Sequence, residues 1–442
     1  MENKPDFIPG PRATAMMEEL SHYVIADLQP VVVDLARSEG MWLMTVDGQK
    51  IFDWAGYYAS KLLGHNHPGL YEPDYLQQLA RAANNKVANP DFLTADCLDY
   101  YRTLHRLAPR CMRNPQLEVY AVNSGAEAVE NMMKYFINLH HQRSGGQAPR
   151  GEKLRFVYFE KAFHGRTIFA LNVTQTLDPV ATKDFHGIIP GNIQVPFPGI
   201  NTSEPPEQNR ARTDEALHTV GKFLERYADE VVGIVVEPIQ GAGGHRVAEP
   251  EFFQGLSRLA HSHEIFLGFD EVQTAGGPTG EIFMVDQMNL PHPPQAVAVA
   301  KKFGCGAVYM LRSMADKGVL DSTWGGPLVD MVRFVQEIKI VERENLVAAA
   351  AANGATLAAG LRRLEHQFPG MLFNVRGQGL YQGFSLATPA LKNRLEEMSL
   401  QEERLLLLGA GADSIRLRPN LSVTDQDIAS LLERLERCLR RL

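Results

Sequence analysis

Leu117-Glu118-Val119-Tyr120-Ala121-Val122 runs straight into Asn123-Ser124-Gly125-Ala126, and the next segment places Val129, Met132, Met133, Phe136 and Ile137 at helical spacing. An apolar run, a turn of small and polar residues and a 3.6-residue period spell strand, tight turn, helix. Four further short apolar runs resemble the first: Phe156–Phe159, Val231–Val236, Ile265–Phe269 and Ala296–Ala300, each passing directly into polar or glycine residues. Strands that are apolar throughout suit a parallel sheet covered on both faces. Helical stretches such as Asp214–Tyr227 and Glu251–His263 separate several of them. The fold class expected is α/β, a mainly parallel sheet flanked by helices. In such sheets ligands collect beyond the carboxyl ends of the strands.

At 442 residues the chain is too long for one compact unit without subdivision. Its last third changes character: Met331–His366 reads as one or two helices, Met371–Leu386 as strands and Asp425–Leu442 as an amphipathic helix. The division expected is residues 71–320 as a large domain. A smaller α+β domain combines the N-terminal segment 1–70 with the C-terminal residues 321–442.

With 45% hydrophobic and 22% charged residues the composition is that of an ordinary globular protein. A net charge of −8 argues against nucleic acid as a partner. Cys97, Cys111, Cys305 and Cys438 lack the spacing of a zinc site or a disulfide framework, so no metal is expected and the thiols read as reduced. The start, Met1–Asp6, lacks the basic-then-apolar order of a secretory signal, and no apolar stretch is long enough to cross a bilayer. The expectation is a soluble cytoplasmic chain with no membrane partner.

Several strand ends each deliver a different polar group. Ser124-Gly125-Ala126 opens a helix, where unpaired N–H groups and the helix dipole favour a phosphate; the same residues equally make an ordinary cap. Asp270, in Phe269-Asp270-Glu271-Val272-Gln273, is a carboxylate at the exit of a buried strand. It needs a cationic partner such as a protonated pyridine nitrogen, unless it merely caps the next helix. Lys301 and Lys302 follow Ala296–Ala300. Desolvation makes an amine a better nucleophile, and strand alternation sends only one of the two into a given site; the alternative is two solvated lysines in a loop. Phe163-His164-Gly165-Arg166 offers a flat apolar face, an imidazole and a guanidinium suited to a carboxylate, or a core phenylalanine beside a surface arginine. Neither a Gly-rich phosphate loop ending in Lys-Ser or Lys-Thr nor a dinucleotide fingerprint is present.

Taken in order, Asp47-Gly48, Leu63-Gly64-His65-Asn66-His67-Pro68, Asn123–Ala128, Phe163–Arg166, Glu237-Pro238-Ile239-Gln240-Gly241, Asp270–Thr274 and Lys301 resemble the class III aminotransferases over nearly the whole chain. This is the pyridoxal-phosphate fold-type I group that includes ornithine, 4-aminobutyrate and lysine ω-aminotransferases. Val236–Gly241, Ser322-Thr323-Trp324-Gly325-Gly326, Arg416-Leu417-Arg418-Pro419 and the pair Lys301-Lys302 resemble its lysine 6-aminotransferase branch.

The resemblance implies pyridoxal 5'-phosphate bound to the large domain, with Lys301 forming the Schiff base. Ser124, Gly125 and Ala126 are implied at the phosphate, Phe163 on the ring, Asp270 at the ring nitrogen and Gln273 near the phenolic oxygen. Thr323 is implied at the phosphate of a neighbouring subunit, hence a homodimer with shared active sites. Arg166 would hold the α-carboxylate of the amino-acid substrate, and Glu237 would pair with Arg416 until 2-oxoglutarate displaces it. The implied reaction moves the 6-amino group of L-lysine to 2-oxoglutarate. Tyr57 and Tyr58 stand where pocket-lining residues are expected. Two stretches depart from the branch: 303–321 is shorter, and 291–294 (Pro291-His292-Pro293-Pro294) is longer, both expected near the substrate entrance. Another ω-amine donor (ornithine, 4-aminobutyrate, a diamine), an aminomutase and a non-catalytic scaffold are the alternatives. The presence of both Glu237 and Arg416 weighs against the mutase, and the presence of Lys301, Asp270, Phe163 and Arg166 against the scaffold.

Overall fold

The computed structural model describes residues 7–145, 153–175, 182–185, 187–314 and 316–442; the Met1–Asp6 start lies outside them. An N-terminal hairpin pairs β1 (Trp42–Met44) with β2 (Lys50–Asp53). Seven strands then build the central sheet: β3 (Glu118–Val122), β4 (Arg155–Phe159), β5 (Ile193–Val195), β6 (Val231–Val236), and, after a short hairpin of β7 (Ile239–Gln240) and β8 (Arg246–Val247), β9 (Phe266–Asp270), β10 (Ala296–Val299) and β11 (Gly306–Met310). Their order is β3-β11-β10-β9-β6-β4-β5. The pairs from β10 to β5 are parallel, and β11 alone runs against its neighbours β10 and β3. The mainly parallel sheet expected from the apolar runs is therefore present. It also holds two strands the sequence reading passed over, β5 and β11.

Every residue of β6, β9, β10 and β11 is buried, as a sheet covered on both faces demands. The helix Gly125–Arg143 lies across one face. It seats by close approach: a Cβ on Gly268 would stand 2.6 Å from Met132 Sδ, and one on Gly233 2.6 Å from Phe136 Cδ2. The two glycines make a notch for the Phe136 ring, and the notch fixes where the amino end of that helix meets the strand ends.

The C-terminal part forms a four-stranded antiparallel sheet, β12-β13-β16-β15, from β12 (Leu372–Gln378), β13 (Tyr381–Leu386), β15 (Leu408–Ala410) and β16 (Ser414–Arg416). Between β13 and β15, the two-residue β14 (Leu405–Leu406) leaves to pair in parallel with β2, tying the two ends of the chain together. The 331–366 stretch is two helices, Leu328–Arg343 and Leu346–Gln367, parted at Asn345 with φ of 53°. The first packs on the helices Pro73–Asn84 and Ala95–Leu107. Thr424 and Asp427 close a capping box on the last helix, Asp425–Leu439. No helix among the described residues is long and apolar enough to cross a membrane.

The longer stretch, 291–294, is not at a substrate entrance, and that expectation is corrected here. Segment 291–294 precedes β10 and therefore lies at the amino ends of the parallel strands, opposite Lys301. There His292 exchanges hydrogen bonds with Ser257 and stacks on His261 at 3.6 Å. The shorter stretch, 303–321, starts at the other end, where Gly304 and Cys305 line the same cavity as Lys301, and β11 then carries the chain across the sheet to the 291–294 end, where the Leu311 N–H donates to the Gln295 carbonyl.

Filling the notch tests how the sheet seats its helix. Gly268→Val forces Met132 and Phe136 away, and overpacking of this kind costs about 1–3 kcal/mol; a lower denaturation midpoint with unchanged slope is the expected result.

Candidate active site

The carboxyl ends of β3, β4, β6, β9 and β10 converge on a cavity of about 300 Å³. Nine of the residues singled out from the sequence line it together: Ser124, Gly125, Ala126, Phe163, Arg166, Glu237, Asp270, Gln273 and Lys301. Ser124 caps the Gly125–Arg143 helix, its hydroxyl accepting the Glu127 N–H at 3.2 Å, while Glu127 accepts the Asn123 N–H at 2.8 Å. This is a cap and, at the same time, a helix amino terminus facing a cavity. Gly125 is required there, since a Cβ would stand 2.8 Å from Val272 Cγ1.

Asp270, the last residue of β9, is buried. Its Oδ1 accepts the Val272 N–H at 3.0 Å, and its Oδ2 meets His164 Nδ1 at 2.8 Å. Burial opposes an imidazolium at His164, but the bond and charge of Asp270, with Glu237 beyond, outweigh it and raise the pKa. His164 Nε2 has no hydrogen-bond partner among the described residues. The neighbouring Glu271 plays a different part: wholly buried, it accepts the N–H groups of Met284 and Val285 and the Thr274 hydroxyl, at 2.8–2.9 Å, and so ties the loop after β9 to the 284–287 turn.

The structure separates the two lysines. Lys301 adopts φ of 54°, a conformation that costs a non-glycine residue on the order of 1 kcal/mol, and its side chain lines the cavity. Lys302 turns elsewhere, and its Nζ donates to the Gln273 carbonyl at 2.7 Å. Burial brings the Lys301 amine down to about 7; Asp270 and Glu237 oppose the shift, and Arg416 and Arg418 reinforce it. Such an amine is substantially unprotonated at neutral pH and so nucleophilic.

Glu237 follows β6 directly. Burial raises its pKa to about 7, with His164 lowering and Asp270 raising it further. Its Oε2 accepts the Phe163 N–H at 3.0 Å. The ion pair expected with Arg416 is not formed among the described residues. Arg416, on β16, is buried outside the cavity lining, and its Nε lacks a partner. The guanidinium and carboxylate still sense each other, because Glu237 works to raise the Arg416 pKa against the lowering effect of burial.

Tyr57 and Thr323 also stand outside the lining. Tyr57 belongs to a left-handed turn in which Gly56, Tyr57, Tyr58 and Ala59 all have positive φ, and it packs edge-on against His65 at 5.5 Å. Thr323 is exposed. Arg166 is exposed at the rim.

Three residues given no role from the sequence buttress the cavity from the C-terminal sheet and the β7–β8 hairpin. The Tyr381 hydroxyl donates to Gln273 Oε1; the Arg418 guanidinium lies over the Tyr381 ring, 3.5 Å from its centroid, and one Arg418 nitrogen is 3.1 Å from His245 Nδ1. Tyr381 sits 108 residues from Gln273, so no local pattern could have joined them.

The class III aminotransferase family model matches residues 23–439, and the chain belongs to that family, whose members are pyridoxal-phosphate-dependent. Among curated relatives, the L-lysine-epsilon aminotransferase of Amycolatopsis lactamdurans is 30% identical over 437 residues, covering 96% of each chain. The 4-aminobutyrate aminotransferase of Emericella nidulans is 28% identical, covering 98% of this chain and 90% of that one. Among solved structures, lysine aminotransferase from M. tuberculosis in the internal aldimine form superposes with a TM-score of 0.89 at 30% identity, over 97% of this chain and 99% of that one.

The residues present fit the cofactor. A helix amino terminus whose glycine leaves no room for a Cβ, a buried carboxylate and an amine without a hydrogen-bond partner among the described residues all line the one cavity.

Because the folded Glu237 pKa of about 7 stands above the ordinary 4.5, its protonated form contributes stability that is complete below pH 4.5 and lost as pH rises through 7. Glu237→Gln keeps an acceptor for Phe163 but cannot ionise. Urea unfolding of the cofactor-free chain should show the variant gaining about 2 kcal/mol on the parent between pH 5 and 8.

Proposed function

We propose that the chain is an ω-aminotransferase that moves the 6-amino group of L-lysine to 2-oxoglutarate. The products are glutamate and 2-aminoadipate 6-semialdehyde, which cyclises to 1-piperideine-6-carboxylate. The observation that carries this reading is Glu237, a carboxyl buried in the same cavity as Lys301 with a buried, unpaired Arg416 beyond it. A site that must admit first a donor with no carboxylate beside its reacting amine and then a dianion with one beside its reacting carbon needs a guanidinium that can be masked and unmasked, because a buried unpaired charge is costly. The lysine aminotransferase names among its relatives support the choice of donor; the 28% identity to a 4-aminobutyrate aminotransferase favours that compound as the second candidate.

Pyridoxal phosphate, when bound, supplies an aldehyde that takes up the amine and a ring that accepts the electrons left when the adjacent carbon loses its proton. Ser124, Gly125 and Ala126 would hold its phosphate, Phe163 its ring, Asp270 the ring nitrogen and Gln273 the phenolic oxygen. Lys301 Nζ would be the amine that holds the aldehyde, and as a free amine it would serve as the base for the proton at the amine-bearing carbon. His164 keeps Asp270 oriented through its 2.8 Å bond. Arg166, at the rim, grips the distal α-carboxylate of lysine, with Tyr57 beside the entrance. Glu237 turned toward Phe163, as here, leaves Arg416 open to the α-carboxylate of 2-oxoglutarate.

The working unit in this reading is a homodimer. Thr323, exposed on its own chain, reaches the partner's cofactor phosphate, and the exposed apolar side chains Tyr23, Ile25, Phe92 and Leu93 supply surface for such a contact. Residues 71–320 serve as the cofactor-binding domain, and 1–70 with 321–442 as the smaller one, joined through β14 and β2.

Two measurements test the reading. The yellow absorption of the purified enzyme should vanish in Lys301→Ala and persist in Lys302→Ala; the reverse pattern overturns the assignment of Lys301. In a donor panel with 2-oxoglutarate, lysine should surpass ornithine and 4-aminobutyrate in kcat/KM by about tenfold or more, a difference of about 1.4 kcal/mol in transition-state binding; a better rate with either of the others replaces lysine as the donor.

A further inference from the structure

Behind the β7–β8 hairpin, on the side away from Lys301, lies a second cavity of about 320 Å³ lined by Lys161, Arg212, Arg246, Arg376 and a single acid, Asp413. Four cations come from four segments: the turn after β4, the helix Pro206–Arg226, β8 and β12. Arg212 is offset by Glu204 at 2.6 Å. Lys161, Arg246 and Arg376 form no ion pair among the described residues; Asp413 in the lining and Glu160 beside it offset these three charges only in part.

The hydrogen-bonding capacity is as uneven as the charge. Arg376 uses all five of its N–H groups, on the carbonyls of His245, Gly244 and Asn374 and the hydroxyls of Ser385 and Ser414, so it contributes a fixed charge and nothing further. The other three cations keep unused donors. Arg246 gives its terminal nitrogens to Glu160, Gln240 and Phe197 but holds Nε back. Arg212 Nε is buried without a partner, and Lys161 Nζ has no hydrogen bond among the described residues. Gly199 keeps the Arg246 edge clear, since a Cβ there would stand 3.0 Å from Nε. Desolvation and mutual repulsion lower the pKa of Lys161, of Arg246 and, to about 10, of Arg376, a cost that a bound anion would relieve.

We propose that this cavity is a second ligand site, separate from the catalytic one, which binds a phosphate group as a dianion. Donors arriving from three separate elements surround a tetrahedral oxyanion better than a planar carboxylate, and charge-assisted bonds of this kind are the strong ones. The phosphate can come from the free ion or from a small phosphate ester; the chemistry recognised is the same.

Isothermal titration of the holoenzyme, at ionic strength held constant with chloride, tests it. Inorganic phosphate should bind saturably at a single site per chain and lose about tenfold or more in affinity in the Lys161→Gln/Arg246→Gln double variant, about 1.4 kcal/mol. Asp413→Asn should act oppositely and tighten binding, which a misfolded protein cannot imitate. A glycerol phosphate arm separates the sources: equal affinity assigns the site to esters as well, weaker affinity to the free ion. Absence of saturable phosphate binding, the same affinity in the double variant, no tightening in Asp413→Asn, or succinate binding as tightly as phosphate would each overturn the proposal.

Discussion

An ammonium taken out of water forfeits several kcal/mol of hydration even after relaxation and water penetration, and Lys301 is enclosed at the end of a fully buried strand. The chain meets that cost by gathering compensating groups around the amine rather than by pairing it with one partner. Burial brings Lys301 down to about 7, with Asp270 and Glu237 favouring the charge and Arg416 and Arg418 opposing it, and burial likewise brings Glu237 up to about 7, with His164 opposing the rise. A set poised this way gives and takes protons at neutral pH, which is what general acid–base work requires. The sheet order makes the set possible. β10, β9 and β6 are consecutive neighbours, so the residues at their carboxyl ends, Lys301, Asp270 and Glu237, arrive side by side although 64 positions of sequence separate the first from the last.

The rest of the enclosure comes from the far end of the chain. Tyr381 on β13 reaches Gln273, Arg418 lies on Tyr381, and His245 meets Arg418. Arg376 fastens the β7–β8 hairpin to the C-terminal sheet through the carbonyls of Gly244 and His245. Arg376 spends all five of its N–H groups in hydrogen bonds, and a wall fastened at that point keeps the charges around Lys301 at fixed distances. His245 is held neutral there, since burial and three arginines push its pKa well down.

Strand-end chemistry was legible in the sequence because it is local. An apolar run followed at once by Asp270 or Lys301 announces both the strand and the group it delivers, and the small residues after Val122 announce the turn. The three residues of β5 are too few to carry a period, and β11 follows Lys301 so closely that no long helical stretch sets it off from β10. Lys301 and Lys302 are locally alike, and both sit in enclosed surroundings; a positive φ at the first, which no composition announces, sends them to different places. Placing Pro291–Pro294 near an entrance failed for a related reason. Proximity in sequence to Lys301 says nothing about which end of the sheet a loop occupies, and a segment that precedes a parallel strand belongs to the opposite end from one that follows it.

The unmade Glu237–Arg416 pair follows from the same balance. A carboxyl with a pKa near 7 is protonated in part of the molecules at neutral pH, and in that form it gains little from a guanidinium while still accepting the Phe163 N–H. Releasing Arg416 therefore costs far less than breaking a fully ionised buried pair, for which about 3–5 kcal/mol is typical. Under the proposed reaction this economy matters more than the strength of either contact. A firm pair would exclude 2-oxoglutarate, and an Arg416 without a competing carboxyl would admit α-carboxylates to the donor step as readily as to the acceptor step. The Phe163 amide holds Glu237 here, and under the proposed reaction Arg416 is its alternative partner, so that one cavity would present two different charges in turn.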